Sequence, residues 1–207
     1  MATATAPSTL NKGSITLQGS AAMIREFFHY GINSILFQRG VYPSDSFIRE
    51  KRFGMMLLVS SDSRLQQFLD PFLSALEIYL SQKVLRRMIV AIFDVKTQEI
   101  LERWVFEIEQ DQVNNENGHS LLDEKKVRTG MCDVIRQITA CVSFLPLLDR
   151  DCSFDVLIGL KHGTEVDEVG LESIQDLKIK DAERVQLRSF GTGHHDVKTC
   201  VEYKLDD

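Results

Sequence analysis

The 207-residue sequence is poor in the residues that mark several kinds of chemistry. It has four cysteines, Cys132, Cys141, Cys152 and Cys200, and no two form a CxxC pair. With no Asn-x-Ser/Thr site either, reduced thiols in cytosol or nucleus are the expectation. No GKS or GKT triplet occurs, which removes the usual phosphate-binding loop. The longest apolar runs, Met55 to Val59 and Met88 to Phe93, fall far short of the ~20 residues a membrane helix needs. The first residues lack the basic and apolar regions of a secretory signal. There is no basic excess: 24 Lys plus Arg against 30 Asp plus Glu give a net charge of −6. That argues against direct binding of nucleic acid.

What remains is an ordinary soluble composition, 43% hydrophobic and 26% charged, in a chain long enough to bury one sizeable core. Residues 1–12 are small and polar and read as a flexible tail. Ile15, Thr16 and Leu17 suit a short edge strand. Ser20 reads as the N-cap of a helix whose stripe is Ile24, Phe27, Phe28, Gly31, Ile32, Ile35 and Leu36, ending at Gly40. A hairpin is expected about Phe53-Gly54. Asp62 or Ser63 caps a second helix, which Pro71 should kink or divide.

Residues 87–93 predict a strand buried on both faces. Residues 99–109 predict a neighbour with one wet face, Trp104, Phe106 and Ile108 pointing inward. A third helix spans about 123–141, and Cys152 to Leu160 is another strand. After a polar, acidic stretch, residues 184–190 and 196–205 suit a hairpin about Gly191-Thr192-Gly193. The fold class is α+β: three helices on a mainly antiparallel sheet, with the segment after residue 160 the place for a mobile element.

Nothing here makes a convincing catalytic, metal or cofactor site. His194-His195 lacks the i, i+4 spacing and the further ligands of a metal site, and reads as two surface histidines. The cysteines sit in apolar patterns, so they read as inert; a cysteine hydrolase would need one beside a histidine in space. Glu107, Glu109 and Asp111 read as a solvated face. On the third helix Asp133, Arg136 and Gln137, with Phe144 beyond, lie opposite the apolar stripe and suit a protein contact.

Several stretches, in order, resemble the HORMA domain family. They are Gly19 to Gly40 with Val41-Tyr42-Pro43-Ser44, Leu101 to Ile108, Val134 to Ala140, Phe144 to Leu148, Cys152 to Asp155, Val185 to Phe190 and Val201 to Lys204. The resemblance covers about residues 13–205 and lies nearest the family's single-domain spindle-checkpoint branch. It implies a non-enzymatic switch between an open and a closed fold. A C-terminal hairpin changes sheet edges, displacing the N-terminal strand Ile15, Thr16 and Leu17. A partner peptide then adds to the vacated edge beneath a mobile "safety belt" of about residues 161–205. By position, Leu157, Ile158, Gly159 and Leu160 would be the pairing edge, with Tyr79, Val201 and Tyr203 as lining. Arg136, Gln137 and Phe144 would form the surface for an open–closed homodimer and for a silencing HORMA-like adaptor.

The implied partners are the activator of the anaphase-promoting complex, a kinetochore coiled-coil receptor, a checkpoint kinase-like protein and an AAA+ remodelling ATPase. No cofactor, metal or membrane is implied, and the location would be nucleus, kinetochore and cytoplasm. The family alternatives are a translesion polymerase accessory subunit and a meiotic axis protein. Tyr79 departs from the family's tryptophan, and Gly159, Gly191-Thr192-Gly193 and His194 from a Thr- and Tyr-rich pattern. Ser189 and Thr199 are candidate phosphoacceptors in the moving strands.

Overall fold

A computed structural model describes residues 15–111, 122–161, 163–164 and 178–205. The expected tail, most of the loop after Gln110, and residue 162 and residues 165–177 of the expected belt lie outside the described residues.

Helix α1 (Leu17–Gln38) is the centre of the molecule. Its cap is Thr16, not Ser20: the Thr16 hydroxyl accepts from Gly19 N–H at 3.0 Å. Leu17 is therefore helical, and the expected strand over Ile15–Leu17 is reduced to a single bridge residue, Ile15. The stripe is broad because α1 is covered on several sides; Ile24, Phe27, Phe28, Ile32, Ile35 and Leu36 are all fully buried. The helix ends at Arg39, and Gly40 takes the left-handed φ of 65° that releases the chain.

Strands β1 (Phe47–Arg52) and β2 (Met55–Ser60) form a separate hairpin whose turn residues, Phe53 and Gly54, both have positive φ. Helix α2 (Ser63–Ser81) starts at Asp62, whose carboxylate accepts from the Arg64 and Leu65 amides. It runs unbroken through Pro71, so the expected division does not occur. Its buried leucines, Leu65, Leu69, Leu73, Leu76 and Leu80, outweigh the single backbone bond that proline removes.

Strands β3 (Leu85–Asp94), β4 (Ile100–Gln110), β5 (Cys152–Leu160), β6 (Glu183–Gly191) and β7 (His195–Tyr203) make one antiparallel sheet, ordered β5-β3-β4-β7-β6. Helix α3 (Glu124–Cys141) packs beside α1 and against β6. Its Gly130 allows that approach: a Cβ there would stand 2.8 Å from Phe190 Cβ. Phe190 in turn meets Phe27 edge-on at 4.8 Å, joining β6 to the α1 core.

The expectation of one wet face on β4 holds only toward the end of the strand, where Glu107 is half-buried and Glu109 exposed. Residues 101–106 are all buried, because the helices cover Glu102, Trp104 and Phe106 while neighbouring groups cover Arg103 and Val105 on the other side. There Ile89, Val105 and Cys200 form a small second core.

Candidate functional site

Strand β5 is the sheet's edge. It pairs with β3, and no described residue pairs with its other side. Which of its peptide groups face outward follows from three bonds. Lys161 N–H donates to Val84 O, and Val95 N–H donates to Asp151 O, so the odd-numbered positions face β3. Val156 N–H instead donates to the Asp155 carboxylate at 2.7 Å. Antiparallel pairing alternates, so Phe154, Val156, Ile158 and Leu160 turn their N–H and C=O groups outward. Of the four expected edge residues, Ile158 and Leu160 present backbone to the open side, while Leu157 and Gly159 bond to β3. The side chains of Val156 and Ile158 lie in the main core, and Phe154 packs edge-on against Tyr42 and Phe68. An edge of this kind is open to strand addition.

The C-terminal hairpin sits at the far side of the sheet. Strand β7 pairs with β4 from Glu102↔Tyr203 to Gln110↔His195, and β6 lies outermost. Its turn is the expected Gly191-Thr192-Gly193, but His194 and His195 are buried, against the surface reading. The tip is driven between the start of α1 and the end of α2. His194 Nε2 lies 2.8 Å from Ile15 O, and His195 Nε2 lies 3.2 Å from Leu80 O. Ser20 Oγ lies 2.8 Å from His195 Nδ1 and 2.6 Å from Thr192 Oγ1. Both carbonyls require N–H donors, so each ring carries its proton on Nε2, and His195 Nδ1 accepts from Ser20. Burial pushes the His195 pKa down to about 4, which keeps the ring neutral. Ser20 is thus a buried docking residue for the hairpin, and Ile15 lies beneath the tip.

The remaining expected residues divide between places. Tyr79 is buried near the end of α2, where its carbonyl accepts from Val84 N–H. Val201 and Tyr203 are buried on β7, opposite Trp104 and Glu102. Two strands separate them from β5, so they do not line its open edge. On α3, Arg136 pairs with Asp133 at 2.8 Å, and Asp133 also holds Arg188 of β6 at 3.0 Å. Gln137 accepts from Arg188 N–H and is tied to the hairpin. Phe144 is exposed, with Val142 and Leu147 nearby in sequence and also exposed. Of the two candidate phosphoacceptors, Ser189 is exposed and Thr199 is fully buried, so the latter is closed to modification in this arrangement.

A buried ion pair escaped the sequence reading. Arg39 Nε donates to Glu102 at 2.7 and 3.0 Å, Trp104 Nε1 donates to Glu102 at 3.2 Å, and Arg39 Nη2 donates to Pro146 O at 2.5 Å. Burial raises the Glu102 pKa against the pull of Arg39 and Trp104. The signal was present: Glu102 shares the even numbering of the inward Trp104, Phe106 and Ile108. The group ties the end of α1 to β4 and to the Phe144–Leu148 segment. The thiols are unreactive in character, since burial raises the pKa of all four, Cys141 to about 11. Among the described residues no group of three or more His, Cys, Asp or Glu side chains is placed to hold a metal.

A family model described as "HORMA domain" matches residues 20–195. The human mitotic spindle assembly checkpoint protein MAD2A is 42% identical over 192 residues, covering 92% of this chain and 93% of the relative. The Dictyostelium discoideum protein of the same name is 39% identical over 197 residues, covering 95% of this chain and 97% of the relative. Among solved structures, a chain of "Crystal Structure of Mitotic Checkpoint Complex" superposes with a TM-score of 0.82 at 37% identity, covering 90% of this chain and 99% of that one.

Proposed function

The chain belongs to the HORMA domain family, and from that premise we propose that it works as a spindle assembly checkpoint protein through a hairpin that exchanges sheet edges. The observation that carries the mechanism is the pairing of β7 with β4 while the outer side of β5 stays open. This is the arrangement a closed form requires. The activator of the anaphase-promoting complex would add a segment as a sixth strand beside β5. The belt would then hold that segment, and the captured activator would be withheld until chromosomes are attached. A kinetochore coiled-coil receptor would use the same edge, which gives the protein its place at kinetochores as well as in nucleus and cytoplasm.

The physical terms suit a switch. Every outward N–H and C=O from Phe154 to Leu160 gains a strand partner on addition, and the docked hairpin tip closes the far side. Moving a population from 1:99 to 99:1 takes about 5.5 kcal/mol of differential binding, within reach of one added strand and its anchors. The α3 surface bearing Arg136 and Phe144 would serve the open–closed homodimer and the silencing adaptor. An AAA+ ATPase would then reopen the hairpin, and a checkpoint kinase-like protein would join the inhibitory complex.

The test is amide exchange on the full chain with a peptide from the activator. Binding should newly protect the amides of Phe154, Ile158 and Leu160, and that of Val156 should exchange its bond to the Asp155 carboxylate for one to the peptide. Those of Leu157 and Gly159, already bonded to β3, should change little. New protection confined to other strands would refute edge addition.

A further inference from the structure

Strand β7 has one position at which it is poorly held. On β6, Leu187 and Arg188 together stand opposite Thr199, because the register slips between Gln186↔Cys200 and Ser189↔Lys198. Such a bulge interrupts the ladder. The backbone groups it frees are met by side chains: Gln186 Nε2 donates to Thr199 O at 2.8 Å, and Arg188 N–H donates to Gln137.

The Thr199 side chain is not met. Thr199 is fully buried, and among the described residues its hydroxyl has no hydrogen-bond partner. Strand alternation turns it to the core face of β7 with Val197 and Val201, and its register partner on β4 is Phe106; all three are fully buried. A buried hydroxyl without a partner has given up its water and gained no bond in exchange. Native structures retain few such groups. Valine has nearly the same shape, suits a strand as well and carries no polar atom. Packing alone therefore gives no reason for the hydroxyl, and its effect falls on the state that buries it. Undocking β7 from β4 returns the group to water.

We propose that Thr199 is a deliberate weak point of the docked hairpin, a conformational device that keeps the hairpin releasable. The unmet hydroxyl lowers the docked population against the undocked one by about tenfold. The contacts on either side act the other way: His194 and His195 hold the tip, and Asp133 holds Arg188 at 3.0 Å. A captured peptide would then be released faster by the same factor. That consequence rests on the proposed edge exchange; the effect on the hairpin does not.

The test compares Thr199→Val and Thr199→Ser with the unaltered full chain, first without peptide. In Thr199→Val the amides of residues 195–203 should exchange about tenfold more slowly, and the urea midpoint should rise by about 0.5 M. Thr199→Ser keeps the hydroxyl and loses only a methyl, so its amides should exchange faster than those of the unaltered chain. Faster exchange in Thr199→Val, with Thr199→Ser near the unaltered chain, would overturn the proposal, because the hydroxyl would then be bonded to an internal water and would support docking. Unchanged exchange in Thr199→Val would overturn it too. Release of a labelled activator peptide separates the two readings. Slower exchange with about tenfold slower release supports both. Slower exchange with unchanged release upholds the weak point and counts against release through the hairpin.

Discussion

His195 carries no charge in the folded chain, and this sets a direction for pH. Its folded pKa, about 4, lies below the ordinary 6.5, so the unfolded chain takes up a proton first as pH falls. The stabilisation is whole above about pH 6.5 and is lost progressively down to about pH 4. At pH 5 the loss from this one group amounts to about 2 kcal/mol relative to pH 7.5. Urea unfolding at the two pH values should show it, and His195→Gln should flatten that part of the profile. Ser20→Ala tests the same cluster at neutral pH. It leaves the His195 Nδ1 without its donor and should cost about 1–3 kcal/mol in urea unfolding. A value near zero would mean that the hydroxyl contributes nothing to docking. None of this was legible in the sequence. Two adjacent histidines after Gly-Thr-Gly carry no periodicity, and their partners lie 179 positions away for His194 and 175 and 115 positions away for His195.

At the scale of elements, local pattern predicts well where neighbours only confirm it. The strand bounds Cys152 to Leu160, the Phe53-Gly54 turn and the Asp62 cap all follow from alternation, turn chemistry and capping. It fails where a neighbour decides. The start of α1 falls at Thr16 because the Thr16 hydroxyl reaches Gly19 and Ser20 is needed inside, against the hairpin tip. The second face of β4 is dry at Arg103 and Val105 because Glu202 pairs with Arg103 while Ile89 and Cys200 of the flanking strands pack beside Val105. The contact of α3 with β6 is likewise tertiary, and Gly130→Val should expose it. The branched side chain cannot fit against Phe190 without displacement, so a loss of about 1–3 kcal/mol is expected. Amide exchange should show faster opening of residues 183–191 than of β3. Equal exchange rates in the two strands would mean that α3 does not hold the hairpin.

For the molecule as a whole, the same β7 alternation would suit either edge of the sheet, so the sequence could not place the hairpin. The structure places it on β4, with its tip held by Ser20, Ile15 and Leu80 and its outer strand by α3. It also separates Val201 and Tyr203 from β5, which residue-by-residue likeness had grouped together. The open edge and the docked hairpin thus lie on opposite sides of one sheet, joined by the segment between Leu160 and Glu183. Entrapment by such a segment means that release of a bound peptide must await movement of the hairpin, so the effect belongs chiefly in the off-rate.

That rate is the most direct measurement. A labelled activator peptide is bound to the full chain and displaced by excess unlabelled peptide. The same is done with Ser20→Ala and with a chain ending at Phe190. Slow release from the full chain is expected, faster from Ser20→Ala, and rapid or absent binding from the truncated chain. Release that is fast from the full chain and unchanged by either alteration would contradict the account, leaving ordinary strand addition without a latch.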